Sequence, residues 1–190
     1  MGPVAMTTLY FIRHCESIKT GSDRGRGLTD AGQEQAQELV AFFEVIPIDA
    51  IYSSPMRRAI DSVRPLAEQR DLPIYEAAFQ ERRFQETDER LSPERLEELL
   101  KRSFQNDDYA QKGGESNQIA RNRALVAIDQ LRKTHPHHRV VVATHGLVLS
   151  LMLEHYTGQP ANEWLNTMAS PAIHQLTFDA GGKTSHEQLL

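Results

Sequence analysis

Two histidines and two arginines stand where they could do chemistry together. Arg13-His14 follows a short apolar run, Thr144-His145-Gly146 follows another, and Arg58 lies one helical turn beyond Ser53-Ser54-Pro55. Arginine offers a planar fork of donors that suits phosphate or carboxylate oxygens. Imidazole, with an unperturbed pKa of ~6.5, can attack as a neutral nucleophile. The set asks for an anionic partner, and a phosphoryl group fits it best, because its transfer needs positioning and charge neutralisation more than covalent machinery. A metal site made from His14, His145, Glu81 and Cys15 fits poorly, since Arg13 and Arg58 would oppose a cation there.

Such residues must be delivered by elements that end near one another. Residues 9–12, 48–52 and 140–143 read as strands, short and apolar and bounded by polar residues. The run at 140–143 is apolar throughout and β-branched at its three valines, as in a strand covered on both faces. Thr29 or Asp30 can cap a helix whose stripe is Ala36, Leu39, Val40 and Phe43. Pro55 suits the first turn of a second helix, in which Pro65 predicts a kink or an early end. A short extended segment follows near Pro73. Ser92-Pro93 opens a helix with Leu96, Leu99 and Leu100 inward, and residues 116–133 form another amphipathic helix. The helix from Gly146 to Tyr156 is apolar almost all round, so it should be deeply buried. Residues 173–178 and 184–189 flank Asp179-Ala180-Gly181-Gly182 as a closing hairpin. Residues 79–92 are charged and resist assignment. The alternation predicts an α/β fold, a three-layer sandwich with a mainly parallel mixed sheet flanked by helices. In such sheets functional groups gather at the carboxyl ends of the strands.

Bulk properties narrow the partners. The chain has 190 residues with no composition break, which predicts one domain over 1–190; Met6 is a candidate start, and residues 1–5 are set aside as an appended or disordered leader. A net charge of -5 gives no global basic field for nucleic acid or anionic lipid. The single cysteine, Cys15, rules out an internal disulfide and is consistent with a reducing, cytoplasmic setting. No signal peptide or membrane span is recognisable. The expected partner is therefore a small phosphorylated metabolite, with no nucleic acid and no membrane; a homodimer stays open. His135, His137 and His138 read as an exposed loop and not as a metal tract, and Gly21 to Gly27 does not match a P-loop.

Several segments, in order, resemble those of the histidine phosphatase superfamily with its phosphoglycerate mutase-like fold. Arg13-His14-Cys15-Glu16-Ser17 is similar to the Arg-His-Gly signature. Leu28-Thr29-Asp30-Ala31-Gly32 with Gln35-Ala36, Ser53-Ser54-Pro55-Met56-Arg57-Arg58-Ala59, Gly114-Glu115-Ser116 and Thr144-His145-Gly146 resemble the family's further segments. The resemblance implies that His14 is a nucleophile that becomes phosphorylated, without cofactor or metal. It implies that Arg13, Arg58 and His145 hold the phosphoryl oxygens, with Ser17, Thr20 and Gly146 as further substrate contacts. An acid must protonate the leaving alkoxide; Glu81, in Phe79-Gln80-Glu81-Arg82, matches the family's glutamate, with Glu76 and Glu86 as alternatives. Glu115-Ser116 can equally cap the next helix.

The chain departs from the family at three places. Cys15 replaces a glycine, Thr20 an asparagine six residues past the nucleophile, and Phe84-Gln85 a glycine past the acid. A cysteine beside the nucleophile predicts sensitivity to oxidants or alkylation. The resemblance favours a phosphatase. A phosphoglycerate mutase is the nearest alternative, disfavoured by the short chain between Glu81 and Gly114, which leaves little for a lid. A non-catalytic phospho-ligand-binding protein and a phosphohistidine-protein phosphatase are further readings.

Overall fold

The computed structural model describes residues 6–190, and the reading of residues 1–5 lies outside them. In chain order the elements are β1 (Thr7–Arg13), α1 (Asp30–Phe42), β2 (Ala50–Ser53), α2 (Arg57–Arg70), β3 (Ile74–Glu76), α3 (Pro93–Gln105), α4 (Asn117–Thr134), β4 (Arg139–Thr144), α5 (Gly146–Thr157), α6 (Ala161–Thr167), β5 (Ala172–Phe178) and β6 (Thr184–Gln188). The strands form one mixed sheet in the order β3-β2-β4-β1-β5-β6. β3, β2, β4 and β1 run parallel, and β5 is antiparallel to both β1 and β6. This is the α/β architecture expected from the alternation of strands and helices.

Strand alternation makes the two cores. Leu9, Phe11, Val140 and Val142 point to the face covered by α4 and α5, while Tyr10, Ile12, Val141 and Ala143 point to the face covered by α1 and α2. Because side chains in a strand alternate with period two, a strand buried on both faces must be apolar throughout. The middle of β1, Leu9 to Ile12, and of β4, Val140 to Ala143, meets that demand, and both strands lie at the centre of the sheet. Val148, Leu149, Met152 and Leu153 of α5 are fully buried in the first core.

Caps set the helix starts. Thr29 Oγ1 accepts from the Gly32 N–H at 3.0 Å, Ser92 Oγ from Arg95 at 3.2 Å, and Ser116 Oγ from Ile119 at 3.1 Å. Gly32 also lets the chain approach closely, since a Cβ there would stand 2.0 Å from the Glu16 carbonyl oxygen in the segment after β1.

Three findings depart from the periodicity argument. α2 does not end at Pro65 but runs to Arg70, because Leu66 and Ala67 beyond the proline join Val63 in the core, and packing outweighs one missing N–H. α6 has no counterpart in the sequence reading; at seven residues, with only Ala161 buried, it carries no usable period. The charged stretch 79–92 is not simply a wetted surface: Arg82 is buried and donates to Ser103, Asn117 and the carbonyls of Glu115 and Tyr109. Among the described residues no helix is long and apolar enough to cross a membrane.

Candidate active site

Strand register brings the site together. Arg13 of β1 pairs with Thr144 of β4, so His14 and His145 leave the sheet side by side, and the His14 N–H donates to the Thr144 carbonyl at 3.0 Å. Ser53 of β2 pairs with Ala143, and the Ser54 N–H donates to the Ala143 carbonyl at 3.0 Å. From this edge β1 leads to α1 on one face and β4 to α5 on the other. The diverging chain opens a crevice, the position where doubly wound sheets place their ligands. A cavity of about 640 Å³ occupies it, lined at its base by Arg13, His14, Ser17, Arg26, Arg58 and Gly146.

The two imidazoles are held in complementary states. His14 Nδ1 lies 2.7 Å from the Cys15 carbonyl oxygen, which can only accept, so Nδ1 carries the proton and Nε2 keeps a free lone pair. Burial, reinforced by Arg58, pushes the His14 pKa down to about 3, so the ring is neutral near physiological pH. His145 is fully buried, its ring centroid 5.2 Å from that of His14. Its Nε2 meets Ser54 Oγ at 2.7 Å, and that oxygen accepts from the Met56 N–H at 3.3 Å. With Ser54 donating, the His145 proton sits on Nδ1, which has no partner. Burial, then Arg58 and His14, hold His145 well below the usual imidazole range.

Three guanidinium groups surround this pair. Arg13 donates to the Met168 carbonyl at 2.6 Å and lies across Gly146; a Cβ at residue 146 would be 2.9 Å from Arg13 Cζ, so a side chain there would displace the guanidinium. Arg58 donates to the Asp23 carbonyl at 2.5 Å and has its carboxylate at 3.4 Å. Arg26 donates to Ser17 Oγ at 2.5 Å and stands 3.6 Å from Asp23. Burial lowers the pKa of Arg13 and Arg58, and burial together with Arg58 brings Arg26 to about 10, so all three stay cationic near neutral pH. Among the described residues, the buried side-chain polar atoms without a hydrogen-bond partner are Nε of Arg13, Arg26 and Arg58, His145 Nδ1 and Gln80 Oε1. Buried polar groups are otherwise nearly always satisfied. Here four orphan nitrogens belong to the guanidinium groups and the second imidazole gathered around His14.

Glu81 lines the cavity at the amino end of α5. Its carboxylate accepts from the backbone N–H groups of Leu147 at 2.9 Å, Val148 at 2.8 Å and Arg82 at 3.0 Å. A carboxylate is favoured at a helix N-terminus, and here it is locked in place. Of the alternatives, Glu86 is exposed on the rim, and Glu76 is exposed at the end of β3 and is not among the lining residues. Glu115 lines the cavity but is committed to Arg123, at 2.9 Å, and to the Arg83 N–H. That engagement agrees with a role in shaping the turn before α4.

Two expectations need correction. Thr20 is exposed and is not among the residues lining the main cavity; it lines a shallow depression at its rim, where Lys19, Asp88, Glu89 and Arg90 border both. Gly21, at φ +94°, turns the chain there, and the Asp23 and Arg24 N–H groups are tied to Asp88. The side chain that reaches inward from this loop is Arg26, which the sequence reading passed over; its only signal was an arginine between two glycines just before Leu28-Thr29. The second correction concerns Cys15. Its thiol is buried and pushed up to about 11 by that burial, the opposite of a reactive thiolate. The backbone there is not left-handed, so the residue is unstrained.

The profile of the histidine phosphatase superfamily (branch 1) matches residues 9–188, and the chain belongs to that family. It is an enzyme of the phosphoglycerate mutase-like group. Phosphoserine phosphatase 1 of Hydrogenobacter thermophilus is 28% identical over 161 residues, 77% of this chain and 74% of the relative. A metal-independent phosphoserine phosphatase of Arabidopsis thaliana is 29% identical over 160 residues, 76% of this chain and 66% of the relative. The native structure of a mycobacterial glucosyl-3-phosphoglycerate phosphatase superposes with a TM-score of 0.81 at 18% identity, covering 96% of this chain and 98% of the other, which establishes the shared fold.

Proposed function

We propose that the enzyme hydrolyses phosphomonoesters of small metabolites through a phosphohistidine on His14. In the first half-reaction His14 Nε2 attacks phosphorus, the P–N bond forms, and the P–O bond to the alcohol breaks. The leaving oxygen takes a proton from Glu81. The Cys15 carbonyl retains the Nδ1 hydrogen and steadies the positive charge that the ring acquires. In the second half-reaction Glu81 takes a proton from water as its oxygen attacks phosphorus, the P–N bond breaks, and phosphate leaves. The guanidinium groups of Arg13, Arg26 and Arg58, with His145 behind them, would offset the charge of the equatorial oxygens, which is the main electrostatic demand of phosphoryl transfer. Ser17 and Gly146 act by shaping this donor set, the first through Arg26 and the second by admitting Arg13.

The observation that carries this reading is the gathering of Arg13, Arg26 and Arg58 around one cavity with His14, an imidazole whose tautomer is fixed with Nε2 free. Phosphatases among the relatives support hydrolysis over mutase chemistry. Rapid acid-free quenching with a ³²P-labelled phosphomonoester tests it. Acid-labile, base-stable label on residue 14 is expected, and its absence during turnover would reject the covalent route. Glu81→Ala should slow alkyl phosphates far more than aryl phosphates, whose leaving groups need less protonation; equal losses would remove Glu81 as the acid.

A further inference from the structure

Beyond the phosphoryl base, the cavity has two unlike sides. One carries charged side chains on the loops at residues 19–26 and 85–90. The other is apolar: Leu147 of α5, Leu165 of α6, Leu96 and Leu100 of α3, and Phe84. Leu147, Leu165, Leu100 and Phe84 pack into one cluster with Ala120, Leu151 and Ala161, so this wall is built and not incidental. The leucine stripe of α3 divides at this point. Leu99 is fully buried, whereas Leu96 and Leu100 are only half-buried and face the cavity. Phe84 is held by the Arg82 guanidinium, 4.5 Å from its ring centroid, and Arg82 is itself fixed by buried hydrogen bonds.

The wall begins where the leaving group must depart. Leu147 donates its N–H to Glu81, so the side of the site that would protonate the leaving oxygen is the side where the leucines start. A cavity of about 640 Å³ is far larger than one phosphoryl group needs and falls in the range that encloses a drug-sized ligand (about 300–1,000 Å³). A small, doubly charged alcohol such as serine would leave the half-buried Phe84, Leu96, Leu100 and Leu165 facing water.

We propose that the wall of Phe84, Leu96, Leu100, Leu147 and Leu165 is the leaving-group subsite, and that the substrate is the phosphate monoester of an alcohol with a bulky apolar body. This rests on the hydrolase reading above and assigns the alcohol that reading leaves open. Contact with the wall pays back through apolar burial, so it should scale with the length of the alcohol.

A homologous series of n-alkyl phosphates from ethyl to hexyl isolates this term, because the basicity of the leaving oxygen barely changes along it. kcat/KM should rise roughly threefold or more per added methylene until the wall is filled. Hexyl phosphate should exceed L-phosphoserine by a factor of roughly 10². Leu96→Asn and Leu100→Asn should each flatten the rise, with thermal melts confirming that the variants fold. A level series, phosphoserine matching hexyl phosphate, or a slope unchanged in both folded variants would overturn the proposal. Calorimetric titration with methylphosphonate and hexylphosphonate reads the wall without turnover. Tighter hexyl binding with no phosphate release from any ester would keep the subsite and reject the hydrolase reading; equal binding with active turnover would do the reverse.

Discussion

The rings of His14 and His145 have centroids 5.2 Å apart, those of His135 and His138 5.3 Å, and those of His174 and His186 5.2 Å. Separation therefore does not distinguish them; the partners of their nitrogens do. His135 and His138 face each other through Nδ1 at 3.0 Å, and the Tyr52 hydroxyl meets His135 Nε2 at 2.8 Å. His174 Nδ1 meets His186 Nε2 at 3.0 Å, with Trp164 edge-on to both rings. In these pairs the imidazoles satisfy one another. At the cavity each ring is instead anchored by a group outside the pair, Cys15 for His14 and Ser54 for His145, which leaves one nitrogen on each without a protein partner. Guanidinium groups complete the difference, since Arg13, Arg26 and Arg58 all act on His14 while His174 feels only burial and His186.

Alanine at each pair breaks or sharpens this contrast. His14→Ala should lower phosphate release by roughly 10⁴-fold or more, the scale seen when a covalent nucleophile is removed. His135→Ala and His174→Ala should change kcat/KM by less than about threefold and act on stability instead, as lost packing and hydrogen bonds do. Melting curves beside steady-state rates read both effects. A rate loss at His174 comparable to that at His14 would erase the distinction.

The arginines come next in size. Arg26→Ala should cost roughly 10²-fold in kcat/KM, as removal of one preorganised donor does at other charge-stabilising sites. Arg57→Ala is the control, because Arg57 is exposed and pairs only with Asp61 and the loop at Gly25. Near-equal rates for both variants would show that the orphan nitrogen of Arg26 takes no part.

Arg26 also marks where the sequence stops being legible. The central strands could be read because β1 and β4 are buried on both faces and end in residues that no core tolerates without purpose. Parallel register then made Arg13, His14, Thr144 and His145 neighbours, which needs only the strand pairing to be right. Arg26 and Asp23 could not be ranked in this way. Their importance comes from a loop whose path is set by long-range ties, such as the Asp23 N–H donating to Asp88, and no local period records such ties. Arg82 was hidden for a related reason: in a run of charged residues nothing local separates the one whose partners, Ser103 and Asn117, lie on other elements. The α3 leucines show the opposite limit. Their period announces an apolar face but not that Leu99 meets the core while Leu96 and Leu100 meet a cavity.

Acid should reveal the pairs through stability. His14 at about 3 and His174 at about 4 both lie below the unfolded value of ~6.5. The unfolded chain therefore binds these protons first. Stability is fully present above pH ~6.5 and falls as pH drops, by up to about 1.4 kcal/mol per pH unit for each group, until its folded pKa is passed. His174→Gln should shallow that fall between pH ~6.5 and 4. Inorganic phosphate should separate the pairs further: in an NMR titration it should raise the His14 pKa and leave His174 unmoved. A shift at both, or at neither, would sever His14 from the anion site.

The smallest effect is expected at Cys15, one residue from the nucleophile. Its position predicted vulnerability, yet its surroundings argue against it. The thiol is buried in the core formed with α1 and α2, among neighbours that include Ala36, Leu39, Ala59 and Val63, and its N–H donates to Ser62 Oγ at 2.8 Å. Burial raises the thiol to about 11, so the thiolate fraction near neutral pH is minute, and the site offers no path for a reagent. The carbonyl of the same residue orients His14, which means that the backbone at position 15 serves the reaction while its side chain serves the core. Iodoacetamide should leave the folded enzyme unmodified by intact mass, with less than about twofold loss of activity, and should alkylate it fully in denaturant. Stoichiometric alkylation of the native enzyme with parallel inactivation would mean that this side chain opens to the cavity during turnover, and the boundary between site and core at β1 would have to be redrawn.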